Sequence, residues 1–272
     1  MDDPLRQLTD ALINELQERR EAGEMTVPIA PGLARELAAA PPPRSPAPLP
    51  ARGPTTAGAA PAPAAESAAP GTGQAAQPPR FAGMDWPELR REALACRRCP
   101  LAEGRGLVVF GQGALDAELM FVGEGPGQQE DRLGIPFVGP AGELLSRILN
   151  AMAMSRDEVY IANAVKCRPP GNRVPEPEEM QTCWPFLERQ IELVRPRVLV
   201  CLGATAVKAL LQPRSLSIGS LRGNWQLYRG IDVMPTWHPA YLLRNPAAKR
   251  DVWSDMKQVL QRLGRPVPKG GD

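Results

Sequence analysis

The sequence predicts an α/β domain of three layers, in which a central, mainly parallel sheet is flanked by helices. From about residue 84 onward, short apolar segments that suit strands alternate with longer segments whose apolar residues recur at helical spacing. One short segment, residues 197–202, is almost continuously apolar, which is typical of a strand buried on both faces of a parallel sheet. The chain has 272 residues, 43% of them hydrophobic, and can build such a core.

The helices of this domain are predicted from helical spacing and from start signals. The first follows Asp85 and leads into Cys96, and the second carries Leu144, Ile148 and Met152 on one face. The helices are expected at residues 86–95, 140–153, 176–194, 204–211 and 245–263.

The strands are predicted between these helices. They are expected at residues 107–110, 118–122, 159–165, 197–202, 225–228 and 231–235. The last two flank Arg229-Gly230 and are expected to form a strand pair. Sites in such sheets form in the loops at the carboxyl ends of strands, so the loops after residues 122, 165 and 235 are the candidates.

The predicted domain spans residues 81–265, and a segment of different composition precedes it. In residues 1–25, four leucines recur on one stripe, which predicts an amphipathic helix over 5–22 that either packs on the domain or docks a replication or repair protein. Residues 26–80 are predicted to be a disordered linker, because residues 41–80 hold 12 prolines and few large apolar side chains. Residues 266–272 are expected to form a short tail.

Composition limits the functional classes. The net charge is +2, which permits nucleic-acid binding but does not argue for it. The sequence has no run of 18 apolar residues and no apolar stretch at its acidic N-terminus, so we predict neither a membrane span nor a secretory signal. We expect a cytoplasmic monomer.

Four of the five cysteines form a candidate metal site. Cys96 and Cys99 lie three positions apart, and Cys167 and Cys183 follow much later. A ligand set of cysteines alone favours zinc or an iron–sulfur cluster, although a C-x-x-C pair also occurs in redox proteins. Cys201 lies inside an apolar segment, and we predict that it is a buried structural thiol.

The first two candidate loops contain residues suited to ligand binding. In Gly123-Glu124-Gly125-Pro126-Gly127, the glycines allow close approach of the backbone to a ligand, but the pattern matches neither Walker A nor G-x-G-x-x-G. Phe137 is either a core anchor or a stacking platform for a flat ligand. Asn163 is either a satisfied buried amide or a reader of a ligand edge, because its side chain offers both a donor and an acceptor.

The third candidate loop contains the only histidine, His238. A lone histidine is usually structural. The apolar residues Tyr241, Leu242 and Leu243 are followed by Arg244, an order that suits a wedge in a base stack with a phosphate-binding arginine. The same residues would also suit the core at the start of a helix.

Together these motifs resemble the family 4, iron–sulfur, uracil-DNA glycosylases over about residues 84–264. The resemblance rests on the Gly-Glu-Gly-Pro-Gly loop with Glu130-Asp131, on residues 136–139, on Asn163 with residues 166–173, and on His238-Pro239-Ala240 with residues 243–246. It implies a [4Fe–4S] cluster on Cys96, Cys99, Cys167 and Cys183. It also implies a monofunctional DNA-repair hydrolase that removes uracil from DNA, leaves an abasic site and associates with the nucleoid when it acts.

The resemblance also implies roles for single residues. Phe137 would stack on uracil, Asn163 would read its Watson–Crick edge, and His238 would contact uracil O2. Glu130 would guard the C5 edge, where a thymine methyl would clash. The remaining implied residues are Glu124 and Gly125 in the uracil pocket, and Tyr241, Leu242, Leu243 and Arg244 at the DNA wedge and backbone.

The candidate catalytic residues are His238 and Glu124. Many members of the superfamily place a water-positioning carboxylate in this first motif, but Gly125 stands there in this chain, with Glu124 beside it. We therefore expect Glu124 or the loop backbone to position water only weakly. His238 and the backbone N–H groups of residues 123–127 would stabilise the charge on the departing uracil.

Three other functions remain open at this point. A related glycosylase could act on other deaminated bases, such as hypoxanthine or xanthine. An iron–sulfur electron carrier or sensor would explain the four cysteines but would leave Phe137 and Asn163 without a purpose. A zinc-stabilised DNA-binding module without catalysis is the third alternative.

Overall fold

The structure is a computed structural model that describes residues 80–211 and 217–268. The predicted N-terminal helix, the linker up to residue 79 and the last four residues of the predicted tail lie outside the described residues. None of the described helices has the length and apolarity needed to cross a membrane.

The strands of the described residues form one mixed sheet of six in the order β1-β3-β2-β4-β6-β5. Their bounds are β1 (Gln112–Gly113), β2 (Leu119–Gly123), β3 (Tyr160–Asn163), β4 (Val198–Leu202), β5 (Gln226–Tyr228) and β6 (Ile231–Thr236). The four central strands are parallel, and the two edge strands are antiparallel to their neighbours. The prediction of a mainly parallel sheet is confirmed.

The helices cover both faces of this sheet. Their bounds are α1 (Trp86–Ala95), α2 (Leu101–Gly104), α3 (Gln128–Leu133), α4 (Pro140–Ala151), α5 (Pro177–Val194), α6 (Ala204–Leu211), α7 (Ile218–Leu221), α8 (Pro239–Arg244) and α9 (Lys249–Arg262). Short 3-10 turns occupy Pro170–Asn172 and Pro246–Ala248.

Strand β2 shows how the three layers form. Phe121 belongs to an apolar cluster with residues of α4 and α9, whereas Met120 and Val122 belong to a second cluster with residues of α5 and α6. Because successive side chains of a strand point to opposite faces, the sheet is buried on both sides. This arrangement confirms the predicted α/β class.

The predicted strand at 107–110 is wrong. Val108 and Phe110 are buried in a third apolar cluster, so the segment is apolar because it packs, not because it pairs along a sheet. Val109 donates a backbone hydrogen bond to the Lys166 carbonyl (2.8 Å), while the first sheet strand begins only at Gln112.

Three further predictions need correction near the candidate loops. Helix α3 follows the glycine-rich loop and was not expected; it ends at Gly134, whose φ of 71° suits a glycine cap. The final helix begins at Lys249 rather than at residue 245, because Pro246 opens a 3-10 turn instead. Residues 239–244 form α8, although that segment was read as a loop.

Candidate active site

A cavity of about 730 Å³ opens at the carboxyl ends of the central strands. The strand register explains its position, because Gly123 pairs with Asn163 and Leu202 pairs with Thr236, so the loops after four strands begin at the same edge. Its volume is typical of ligand pockets, which enclose roughly 300–1,000 Å³.

Most of the predicted site residues line this one cavity. The residues that it brings together are Glu124, Gly125, Glu130, Phe137, Asn163, His238, Tyr241 and Arg244. They come from segments more than 100 residues apart in the chain, so the fold assembles what the sequence shows only as separate motifs.

Asn163 carries the most informative feature of the cavity. It ends β3, and its side chain is buried, with 1% of the residue exposed. Its Oδ1 atom has no hydrogen-bond partner among the described residues. A buried acceptor without a partner costs about 1–3 kcal/mol, and a ligand with an N–H group would supply the missing donor.

Gly123 allows Asn163 and Phe137 to meet. A Cβ atom at this glycine would lie 2.5 Å from Asn163 Oδ1 and 2.5 Å from Phe137 Cζ. Both side-chain ends therefore occupy the space that any other residue at position 123 would fill. An amide and an aromatic ring meeting at one point can read the edge and the face of the same flat ligand.

Glu130 anchors the loop that presents Phe137. Its Oε1 accepts hydrogen bonds from the N–H groups of Val138 (2.9 Å) and Gly139 (2.8 Å). One carboxylate oxygen is thus committed to the protein backbone. The carboxylate lines the cavity beside Phe137 as a fixed wall.

Arg156 holds the same loop from its other side. Its guanidinium donates from Nη2 to the Pro136 carbonyl (2.7 Å) and from Nη1 to the Phe137 carbonyl (3.0 Å). Burial lowers the pKa of Arg156 from its usual value. Phe137 has a φ of 55°, which is rare for a bulky residue, and such strain persists only where the surroundings enforce it.

His238 is a neutral hydrogen-bond donor in this arrangement. It caps α8, and its Nδ1 accepts a hydrogen bond from the Ala240 N–H (3.1 Å). The pKa of His238 is lowered to about 4, mainly by burial and also by the charge of Arg244, while Glu130 opposes the shift. The proton of the neutral ring therefore resides on Nε2, which can donate to a ligand.

Glu124 is held by a residue that sequence reasoning missed. Its carboxylate accepts a short hydrogen bond from the hydroxyl of Thr205, which is buried at the start of α6. Thr205 follows strand β4, so the rule that sites form at strand ends, applied to that strand as well, could have found it. No comparable signal marked Arg156, whose partners are two backbone carbonyls of the loop and the Ser146 hydroxyl.

Gly125 leaves little room for a larger side chain. A Cβ atom at this position would lie 2.8 Å from Val165 Cγ2. A larger side chain would have to displace the segment that follows β3. Glu124 is therefore the one acidic side chain that residues 123–127 contribute to the cavity.

Comparisons with known proteins agree with this geometry. The Uracil DNA glycosylase superfamily pattern matches residues 110–257. The chain belongs to this superfamily. It is 51% identical over 169 residues to the type-4 uracil-DNA glycosylase of Thermotoga maritima, covering 60% of this chain and 87% of that one. It is 43% identical over 180 residues to the type-4 enzyme of Saccharolobus solfataricus, covering 63% and 83%. The resemblance to family 4 glycosylases is confirmed.

The predicted wedge of this uracil-DNA glycosylase superfamily member needs one correction. Leu242 is 1% exposed and packs in the apolar core, so its assignment to the wedge is wrong. Leu243 is 45% exposed, and Arg244 beside it is also exposed. Tyr241 stacks on Trp237 with ring centroids 4.7 Å apart. The wedge prediction narrows to Leu243, with Tyr241 and Arg244 at the cavity rim.

The four candidate metal ligands lie at the third apolar cluster, which also contains Val108 and Phe110. Cys167 and Cys183 belong to this cluster, and Cys96 and Cys99 pack against it. The pKa of the Cys183 thiol is raised to about 12, mainly by burial, although the charge and the backbone N–H of Lys166 oppose the shift. Cys167 and Cys99 also contribute to the rise, so these two sulfurs lie near Cys183.

The structure does not group the four cysteines around one point. Among the described residues, no three histidine, cysteine or acidic side chains are grouped tightly enough to hold one ion. A zinc ion would draw its sulfur ligands to about 2.3 Å from one centre, whereas the four cysteines of an iron–sulfur cluster each bind a different iron. Cys201 is buried in β4, as predicted.

Two arginines place positive charge beside these sulfurs. Arg105 donates to Cys167 Sγ (3.3 Å), and Arg98 donates from Nε to Cys96 Sγ (3.4 Å). The Nη2 atom of Arg98 is buried and has no partner among the described residues. An unused donor next to a cysteine sulfur suits a group that carries net negative charge.

Proposed function

We propose that this protein is a monofunctional uracil-DNA glycosylase that flips uracil out of DNA, hydrolyses its N-glycosidic bond and leaves an abasic site. Membership of the superfamily supports the reaction class. The observation that supports uracil as the substrate is the unpaired Oδ1 of Asn163 beside the ring of Phe137. An enzyme that acts on a base must take it out of the stack, and a pocket of this kind can receive it.

Recognition of uracil would follow from the amide of Asn163. Its Oδ1 would accept from uracil N3–H, and its Nδ2 would donate to O4. Cytosine reverses both groups and would leave two unpaired polar atoms in the pocket, at about 1–3 kcal/mol each. A site built on hydrogen bonds therefore rejects the wrong edge strongly.

Thymine would be excluded by shape. Glu130 cannot easily move, because Val138 and Gly139 hold one of its oxygens. A carboxylate fixed beside the stacking ring would meet the C5 methyl of thymine. Replacing Glu130 with alanine should admit thymine only if the Phe137 loop keeps its position without that anchor.

Cleavage would depend mainly on charge stabilisation by His238. Breaking the bond leaves negative charge on uracil, and the Nε2–H of His238 would donate to its O2 atom. Removing a preorganised donor of this kind typically costs about 3–4 kcal/mol in the barrier. Glu124, fixed by Thr205, would position water more weakly.

The direct test is incubation with an oligonucleotide that contains one uracil, followed by alkaline cleavage of the abasic product. We expect cleavage with uracil and none with cytosine or thymine. Parallel substrates with hypoxanthine and xanthine test the alternative glycosylase. Preferential excision of one of those bases would contradict the assignment of Asn163 to the uracil edge.

The relative contributions of Glu124 and His238 to the rate of excision are tested by comparing single variants. His238→Ala should lower the single-turnover rate by about 100-fold or more, and Glu124→Ala should have a smaller effect. Thr205→Val serves as the conservative variant, because it removes only the hydroxyl that holds Glu124. An equal loss in Glu124→Ala and His238→Ala would show that the carboxylate is a dedicated base.

We also propose that Cys96, Cys99, Cys167 and Cys183 hold a [4Fe–4S] cluster. The all-cysteine donor set and the unused donor of Arg98 support this proposal. When bound, the cluster would supply structural cross-linking. Lys166, whose backbone N–H donates to Cys183 Sγ (3.3 Å), would link that site to Asn163 three residues earlier.

Iron analysis and visible absorption test the cluster. Cys167→Ser should lower the iron content and the visible absorption, together with the thermal stability. Cys201→Ser is the matched control, because it changes a cysteine buried elsewhere in the sheet. A colourless protein with one zinc would support the zinc alternative, and a reversible redox couple without excision would support the electron carrier.

Residues 5–22 are proposed to dock a repair or replication protein. Deletion of residues 1–80 should abolish such binding without loss of excision. Retention of every partner after this deletion would remove the proposal. Size-exclusion chromatography of the full chain tests the expected monomer, and fractionation with the nucleoid tests the proposed location.

A further inference from the structure

A second cavity, of about 720 Å³, lies between α4 and α9 and is here named the α4–α9 groove. Its floor is apolar: Leu144, Leu242 and Val252 are buried, and Ile148 and Trp253 are partly buried at its edges. Concave sites of roughly 300–1,000 Å³ that are lined mainly by apolar side chains are typical of binding sites.

The rim of the groove is positively charged. The cations that line it are Arg147, Lys249, Arg250 and Lys257, and no carboxylate from the described part of the chain lines it. Within residues 80–211 and 217–268, none of these four side chains forms an ion pair with a carboxylate. Unpaired cations of one sign around an apolar floor favour a partner that carries both apolar and acidic side chains.

The groove extends away from the active-site cavity. Ala141 of α4 lines that cavity, whereas Ala151 of the same helix lines the groove. At 1.5 Å per residue, these two positions are about 15 Å apart along the helix. The floor is mostly aliphatic, with Trp253 as its one aromatic residue. Single-stranded DNA binds through stacked aromatic residues, so the chemistry of the groove favours a peptide.

We propose that the α4–α9 groove docks an acidic amphipathic helix of a partner protein. Such a helix places apolar anchors at i, i+3, i+4 and i+7, which span about 10 Å. Lys249 and Lys257 lie about 12 Å apart along α9, a distance close to the length that the apolar anchors of such a helix span. The anchors would fill the floor while acidic residues on the helix flanks pair with the rim.

The test uses the full-length protein and a fluorescein-labelled synthetic helix with leucine at i, i+3, i+4 and i+7 and glutamate elsewhere. Fluorescence polarisation should show saturable binding, and the same peptide with lysine in place of glutamate should not bind. Charge reversal at the rim, in the double variant Arg250→Glu with Lys257→Glu, should weaken binding by about tenfold or more. Arg91→Glu, an exposed site on α1, is the matched control and should bind normally.

Excision of uracil and thermal melting separate the alternatives. We expect the double variant to melt and to excise uracil as the wild type does. The proposal is overturned if the wild type does not bind the acidic peptide, or if the rim variant binds as well as Arg91→Glu. It is also overturned if uracil-free single-stranded DNA displaces the peptide and the rim variant loses excision, because the groove would then bind DNA.

Discussion

Gly123 offers the sharpest test of the site geometry. A Cβ atom there would lie 2.5 Å from Asn163 Oδ1 and from Phe137 Cζ, and 2.7 Å from Phe137 Cε2. Favourable contacts between carbon atoms need about 3.5–4.0 Å. The alanine variant must therefore displace one or both of the side chains that would read the base, by about 1 Å.

The size of the effect follows from two independent arguments. Overpacking a filled site typically costs about 1–3 kcal/mol, which corresponds to about 5- to 150-fold in rate. A displacement of about 1 Å in a reacting site can cost about 100-fold. We therefore expect Gly123→Ala to lower kcat/KM for a uracil-containing oligonucleotide by about 10- to 100-fold.

Gly104→Ala is the matched control, because a Cβ atom at that glycine would meet nothing within 4 Å. Single-turnover rates should be measured well below the melting temperatures of both variants, so that unfolding does not mimic a loss of recognition. The control should stay within about twofold of the wild type. A Gly123→Ala protein that excises uracil as fast as the Gly104→Ala protein would refute the proposed meeting of Asn163 and Phe137 at the base.

Three other predictions follow from the contacts around the site. Arg156→Lys should lower kcat/KM by about tenfold, because an ammonium group lacks the planar fork that spans two carbonyls of the Phe137 loop. Steady-state kinetics measure this loss, and unchanged kinetics would contradict the positioning role of Arg156. His238, the only histidine, should titrate by NMR with a midpoint of about 4. As the pH falls from about 6.5 to 4, the free energy of unfolding should decrease, because the ring in the unfolded chain takes up a proton at a higher pH than the ring in the folded protein. A midpoint near 6.5 would contradict a desolvated neutral ring. Lys166→Met should destabilise the fold by about 1–3 kcal/mol in urea unfolding, because two buried acceptors lose their donor; a stability equal to the wild type would show that the acceptors find other donors.

Residues at strand ends were the easiest to predict from the sequence. Asn163 lies near the end of one predicted strand and His238 follows another, and the register of a parallel sheet brings such ends together. Phe137 was harder, because a proline- and glycine-bounded segment does not reveal whether its aromatic residue faces the core or a ligand. The roles of Asn163 and His238 could be inferred because few polar residues lie at the predicted strand ends.

Other features depend on packing that no local pattern encodes. Tyr241, Leu242 and Leu243 form one apolar run, and only the direction of α8 decides that Leu242 is buried while Leu243 is exposed. We predicted a strand at residues 107–110 because the segment is apolar. Apolarity indicates only that a segment is buried, whereas a strand also needs a neighbouring strand with which to pair. Arg156 could not be predicted, because its contacts with two backbone carbonyls and with the Ser146 hydroxyl depend on how distant segments fold together.

A buried polar network joins the cysteine site to the recognition residue. Lys166 Nζ donates to the Asn163 carbonyl (2.9 Å) and to Gln190 Oε1 (2.6 Å), while its own N–H donates to Cys183 Sγ (3.3 Å). Gln190 Nε2 then donates to the Phe110 carbonyl (2.8 Å) and to the Tyr160 hydroxyl (3.1 Å). A buried cation with no carboxylate partner among the described residues is costly, and burial lowers the pKa of Lys166 to about 8. Because these bonds connect the last residue of β3 with α5, any change that moves the cysteines should also move Asn163. The cysteine site would therefore affect the proposed base recognition through the backbone and this network.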